Sequence, residues 1–357
     1  MPTPHSRIEG AIMGAFVGDA LALGPHWYYN LQELHRDYGT WIDDYTEPKA
    51  GRYHAGLKAG ASSQSGIILA LTLRSLLHSK GYLQEDFCQR LDQELFPKLN
   101  GEAMHGPGGY TSQSMRDAWR ARQAGKNWGE FASVSDNTEA AERVLAIAAC
   151  YFKNPSLLAK NVSANIALTQ SDPTVGAMTC AYALVLGQLL QGEALDSQLS
   201  GKLMKQVQTG ALPFHHIVSP NMQMPKGQET PPQAGEYASP DALLTVSSIA
   251  QGVQEQQVQV EPAWKVSLLY GLPCAVYHQL PAVYHLAARF QHDFENAVLH
   301  AVNGGGQNMA RAMLTGALCG AIGGIEAIPE RFIAGLKNGQ EYRKLAKELA
   351  QLAVAMA

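Results

Sequence analysis

Gly10, Gly14 and Gly18 recur every fourth residue in an apolar N-terminal segment, and Gly316, Gly320 and Gly324 repeat the spacing near the C-terminus. Residues four apart share one helical face, so each segment reads as a helix with a bare stripe. A glycine inside a helix costs about 1 kcal/mol relative to alanine. Close approach of another helix offsets that cost, so packing is the first reading of both stripes. Helical periodicity continues over 65–78, 84–95, 138–152, 174–191, 240–253, 263–271, 273–288, 293–302, 308–322 and 329–336, after a first helix over 8–23. Pro273 and Pro329 suit helix starts and Asp293 suits an N-cap. No long alternating pattern argues for strands, and no repeat of 20–50 residues is visible. The expectation is an all-α chain forming one domain over 1–357, with a long loop insertion at about 211–239.

Hydrophobic residues make up 46% of the chain and charged residues 16%, enough for a sizeable core and too apolar for disorder. The formal net charge of -4 gives no general attraction to nucleic acid or an anionic membrane. Mean hydropathy is -0.14, and the apolar stretch from Ala310 to Ile328 contains Arg311 and Glu326, which argues against a membrane span. The cysteines, Cys88, Cys150, Cys180, Cys274 and Cys319, are odd in number and scattered, with no CxxC. They read as reduced thiols of a cytoplasmic protein. No signal-peptide pattern opens the sequence.

Chemistry-bearing residues collect in the irregular segments. Asn303-Gly304-Gly305-Gly306-Gln307-Asn308 is a glycine turn leading into a helix. Its backbone N–H groups suit a phosphate or carboxylate, and a plain helix–helix joint is the alternative. Arg311, on the first turn, suits either a phosphate or a surface salt bridge. His26, Trp27, Tyr28 and Tyr29 form a dense cluster that either stacks on a ligand or packs into the core. Tyr53, His54 and Lys58 follow in the same irregular region. His54 is the best acid/base candidate by residue type, with a structural histidine as the alternative. Asp19, inside an apolar helix, suits a capping role or, less readily, catalysis. Asp172, before Pro173, suits an N-cap, and His215-His216 lack the spacing of metal ligands.

GAIMGAFVGDALAL from Gly10, TQSDPTVGAMTCAYALVL from Thr169 and GGQNMARAMLTGALCGAIGGIEAIPERF from Gly305 together resemble the ADP-ribosylglycohydrolase superfamily, which includes dinitrogenase reductase-activating glycohydrolase. The blocks fall in the family's order and span nearly the whole chain. HWYYN at 26–30, YHAGLKAG at 53–60 and Arg311 look closest to the branch of jellyfish J-crystallins and selenoprotein J. The resemblance implies an orthogonal multi-helix fold and, in active members, a pair of magnesium or manganese ions held by two acidic motifs beside an ADP-ribose.

The acidic motifs are replaced here. The first falls on Ser63, Gln64 and Ser65, and the second on Gln307, Asn308, Met309 and Ala310. Magnesium wants hard, mostly anionic oxygen ligands; a thioether is the wrong donor. No binuclear site is therefore expected, and no cofactor. The family's central histidine falls on Gln170, and the glutamate after its first glycine motif falls near His26-Trp27. The expected function is a pseudoenzyme that binds a nucleotide or ADP-ribose-like small molecule. Gly304, Gly305, Gly306, Gln307, Asn308, Arg311, Ser63, Gln64, Ser65, Tyr53 and Trp27 would bind it, with Gln64 and Gln307 facing each other. The alternative is a metal-independent hydrolase of a ribosyl compound, using His54, His26 or Asp19, with Asp136 a further candidate. A crystallin-like structural role is the third reading. No nucleic acid or membrane partner is expected.

Overall fold

Seventeen α-helices occupy the residues described by this computed structural model, which are 1–215, 227, 235–238 and 241–356. In chain order they are α1 (Pro4–Leu21), α2 (Leu31–Tyr38), α3 (Gln64–Ser79), α4 (Gln84–Arg90), α5 (Gln113–Gln123) and α6 (Glu139–Arg143). α7 (Leu145–Cys150), α8 (Pro155–Ile166), α9 (Pro173–Leu190), α10 (Leu199–Gln208), α11 (Asp241–Gln254) and α12 (Val266–Tyr270) follow. The last five are α13 (Val276–Arg289), α14 (Phe294–Asn303), α15 (Asn308–Gly323), α16 (Glu330–Gly335) and α17 (Gly339–Ala355). The described strands are two-residue pieces, Phe214–His215 paired in parallel with Tyr237–Ala238. The fold is the all-α architecture the periodicity predicts.

The two glycine stripes meet. A Cβ on Gly14 would lie 2.2 Å from the Gly316 carbonyl oxygen, and one on Gly316 would lie 2.2 Å from that of Gly14. Gly10 opposes Gly320 in the same way, and Gly18 opposes Ala312. The pairing runs 10 with 320, 14 with 316 and 18 with 312, so α1 and α15 are antiparallel and in backbone contact. Gly324 is not part of the helical stripe; it ends α15 with φ +75°. Around this pair one apolar core draws side chains from Ile8 to Ala353, and a smaller cluster centres on Phe87, Leu91 and Met115. α9 is long and apolar enough to cross a membrane, and 83% of it is buried inside the protein.

Several boundaries differ from expectation. Residues 24–64 contain α2, started by the Asn30 side chain accepting from Gln32 N–H; eight mostly polar residues carry too little periodicity to read. Pro273 does not start a helix, because α13 begins at Val276 and holds Pro281 inside it. Val144 divides the expected 138–152 helix into α6 and α7. Pro329 and Asp293 flank α16 and α14 as expected, and Asp172 caps α9 by accepting from Thr174 and Val175 N–H. Of the 211–239 segment, 216–226, 228–234 and 239, including His216, lie outside the described residues.

Candidate functional site

The N-termini of α3 and α15 border a narrow cleft with a cavity volume of about 50 Å³. Ser63 starts α3: its Oγ accepts from Ser65 N–H, which places Gln64 and Ser65 on the first turn. Gln307 precedes α15 and Met309 lies on its first turn. These residues line the cleft with His26, Trp27, His54, Tyr110 and, on α6, Glu139 and Glu142. Gln64 and Gln307 both line this cleft, but each amide is bonded to another partner and not to the other glutamine. The Gln64 amide is occupied by Thr111 Oγ1 at 3.0 Å and Ser112 N–H at 3.4 Å.

His26 and His54 are buried and form a chain. His54 Nδ1 lies 2.6 Å from the Gly108 carbonyl oxygen, His54 Nε2 lies 2.6 Å from His26 Nδ1, and His26 Nε2 lies 2.7 Å from the Gln307 amide through the atom assigned as Oε1. Burial lowers both pKa values, that of His54 to about 4, so both rings are neutral at pH 7. Gly108 only accepts, so His54 Nδ1 carries the proton and Nε2 is bare. His26 Nδ1 must then donate, leaving His26 Nε2 bare. A half-turn of the Gln307 amide exchanges its O and N without changing its shape, and the proton count requires the nitrogen to face His26.

Trp27 covers this chain. Its ring stacks on His26 at 4.0 Å between centroids and meets the edges of Tyr53 and Tyr110 at 4.5 and 4.3 Å. Trp27 and His54 hold φ of +59° and +65°, a conformation uncommon for side chains of this size. Such strain persists only where the surroundings enforce it, and it concentrates at functional sites. Tyr53, expected among the binding residues, does not line the cleft but packs edge-on to Trp27 with its side chain exposed, and Lys58 is also outside, paired with Glu47.

Two carboxylates absent from the expected site are central to it. Glu142 is buried; it accepts from Thr138 Oγ1 at 2.6 Å and from the Ser65 hydroxyl. Burial pushes its pKa up, and the neighbouring Glu139 adds to the rise. Glu139 pairs with the buried Arg143 at 2.8 Å and accepts from Ser114 Oγ. The signal was the i,i+3 spacing of two acids in EAAER, just before an apolar run.

Other expected residues lie elsewhere. Asp19 does not line the cleft; it is wholly buried behind it, accepting from the Ser63 N–H at 3.0 Å and from the Ser63 hydroxyl. The glycine turn is no anion cradle, because Gly306 N–H donates to Tyr28 O and Gln307 N–H to Leu272 O. Cβ atoms at Gly305 and Gly306 would strike Leu31 and Leu272, so packed side chains fill the space a phosphate would need. Asn308 turns inward, its Nδ2 donating to Pro25 O and Val302 O. Arg311 is neither a phosphate ligand nor a surface ion pair. It is fully buried and donates to Ala301 O, Gln279 Oε1 and Gly305 O at 3.1, 3.1 and 2.5 Å. Gln170 is structural: its amide holds the strand of chain from Ser135 to Ala140. Asp136 accepts from Tyr277 on the surface.

The residues do not fit the pair of metal ions that the family resemblance implies for active members. The Ser63 and Ser65 hydroxyls are spent on Asp19 and Glu142, the Gln64 and Gln307 amides on Thr111 and His26, and Met309 offers sulfur. Among the described residues no group of three or more His, Cys, Asp or Glu is arranged to hold a metal ion.

The sequence model of the ADP-ribosylglycohydrolase family matches residues 1–356, so the chain belongs to that family. An uncharacterised protein of Archaeoglobus fulgidus is 24% identical over 350 residues, covering 98% of this chain and 97% of its own length. Among solved structures, an ADP-ribosylglycohydrolase-related protein complex has a similar fold. Its TM-score is 0.62 at 18% identity, with 99% of this chain and 100% of that chain covered.

Proposed function

We propose that this family member binds a small ribosyl or similarly hydroxylated compound in the cleft without a metal pair, and that it has left dinuclear glycohydrolase chemistry behind. One observation carries the reading. Neutral, already engaged side chains occupy both metal-motif positions, while the cleft between them keeps an aromatic wall and a ring of hydroxyl, amide and carboxyl groups. Such groups suit sugar hydroxyls. An intact ADP-ribose is too large for the cleft as it stands, so only its ribose end would enter. The free cysteines and the net charge of -4 support a cytoplasmic, small-molecule role.

Thermal unfolding with D-ribose, a methyl riboside and ADP-ribose, run in EDTA and in excess Mg²⁺, tests the reading. A ligand at ten times its Kd stabilises the folded state by about 1.4 kcal/mol. The same rise in both buffers, diminished by Met309→Phe, is expected. No rise with any ribosyl compound would overturn it.

A second reading rests on Glu142 beside the neutral His26–His54 chain. Burial raises the Glu142 pKa and so favours its protonated, general-acid form, and a neutral imidazole is a base. This arrangement supports metal-independent hydrolysis of a ribosyl bond. Turnover that is lost in Glu142→Gln while binding survives would favour it; no turnover in the native protein would remove it.

A further inference from the structure

We infer that residues 101–111 are a hinged lid on this cleft, latched by His54 and Gln64, and that a ligand enters only when the lid lifts. This rests on the reading of the cleft as the ligand site and adds how that site opens. Size calls for it. One water needs roughly 10–15 Å³ of cavity on this measure, so about 50 Å³ holds about four heavy atoms, fewer than half of those in a ribose. A wall must therefore move. Most walls are fixed. α15 is in backbone contact with α1, α6 is buried along its whole length, and α3 buries its apolar face in the core. Trp27 N–H donates to Gly306 O, and Gly306 N–H donates to Tyr28 O. The remaining wall is Tyr110, carried by the irregular chain between Leu99 and Ser112, the N-cap of α5.

That chain closes on itself. Thr111 N–H donates to Ala103 O at 2.9 Å, Thr111 Oγ1 to His105 O at 2.7 Å and Gly109 N–H to Gly106 O at 3.0 Å. It therefore moves as one compact loop. Gly101, at φ +83°, stands at its base, where glycine absorbs a rotation at low cost. Arg120 holds that base at Gly101 O, and Arg116 reaches Thr111 O with a long side chain that can follow the loop. Glu102, Met104 and His105 are exposed.

The seat of the loop is flush and lightly bonded. A Cβ on Gly108 would lie 2.1 Å from Gln64 N, and one on Gly109 would lie 2.7 Å from His54 Cα. Gln64 N–H, beneath Gly108, has no partner among the described residues. Across the seat, His54 Nδ1 donates to Gly108 O at 2.6 Å and Gln64 Nε2 to Thr111 Oγ1 at 3.0 Å, while the Tyr110 ring meets Trp27 and Tyr53 edge-on. Both latch residues also line the cleft. A ligand hydroxyl that takes the Gln64 amide replaces its bond to Thr111, so the group that the closed protein spends on the lid passes to the ligand. A ligand that binds only the lifted state shifts the population toward it.

Cys274 reports the opening. It lines the cleft and is partly exposed, whereas Cys88, Cys150, Cys180 and Cys319 are buried. Alkylation of the full chain by iodoacetamide, read at each cysteine by mass spectrometry, follows access to the cleft, and the buried thiols report unfolding. Thr111→Val keeps the side-chain shape and removes the acceptor of Gln64. It should raise the Cys274 rate about fivefold, the effect of one hydrogen bond on an equilibrium, with the other cysteines unchanged. Gly109→Ala, whose Cβ presses on the His54 backbone, should do the same, so a folding failure in one variant leaves the other to decide. Affinity scales with the fraction of protein in the binding-competent state, so methyl riboside should bind Thr111→Val about fivefold more tightly than the native protein. Unchanged Cys274 rates in both variants, with riboside affinity unchanged, overturn the lid and leave the cleft a ligand site. Raised rates with no riboside binding by any of the proteins keep the lid and overturn the cleft reading itself.

Discussion

Asp19→Asn should remove a pH dependence that runs against the usual behaviour of a carboxylate. Asp19 is fully buried in the middle of the protein and accepts two hydrogen bonds from Ser63. Burial outweighs those bonds and raises its pKa from 3.8 to about 7, with a contribution from Glu142. The unfolded chain releases this proton near 3.8 and the folded chain near 7. Between the two values the folded state binds more protons, so stability falls as pH rises, by about 1.4 kcal/mol per unit. The contribution is complete below the unfolded value and lost as pH climbs through the folded one. Over the window it amounts to about 4 kcal/mol. His26 and His54 act oppositely, because their lowered pKa values leave the folded state with fewer protons below about 6.5. The native curve alone is therefore a mixture. Urea unfolding followed by tryptophan fluorescence, at half-unit steps from pH 4.5 to 8, should be run on both proteins. The variant is expected to gain on the native protein as pH rises toward about 7 and then to level off. A difference curve that is flat, or that slopes the other way, would refute the protonated Asp19.

Three further outcomes follow from the geometry. Gly316→Ala should destabilise by about 1–3 kcal/mol in the same assay, although alanine favours helix, because its Cβ meets the rigid Gly14 carbonyl. Arg311→Met should cost about 3 kcal/mol by leaving Ala301 O, Gly305 O and Gln279 Oε1 without donors, and Arg311→Lys should not restore it, as one ammonium cannot span three acceptors. Gln307→Glu should raise the His26 pKa, read by NMR titration of the ring protons, because a carboxylate cannot donate to Nε2 and draws a proton onto it.

Much of the fold was legible because its signals are local. The glycine stripes announced two closely packed helices, and their equal spacing matches the antiparallel α1–α15 contact. α17 shows what was overlooked: its buried residues Tyr342, Leu345, Ala346, Leu349, Ala350 and Ala353 follow a plain helical period. The site was harder. His26, His54, Gln64 and Gln307 were singled out and share the cleft, yet nothing near Asp19 in sequence says that Ser63 takes up its carboxylate. Arg311 looked free because an arginine on a first helical turn normally reaches solvent; carbonyls of Ala301 and Gly305 just before it and the Gln279 amide on α13 hold it inside instead. Glu142 became a site residue only when tertiary packing set it against Ser65 and Thr138.

The measurement closest to the heart of the matter is a calorimetric titration of Mn²⁺ into protein stripped with EDTA, paired with riboside binding in EDTA. With Gln64, Gln307 and Met309 at the metal positions, no saturable Mn²⁺ site and undiminished riboside binding are expected. Two Mn²⁺ ions per chain, lost in Gln307→Ala and required for riboside binding, would contradict a metal-free cleft.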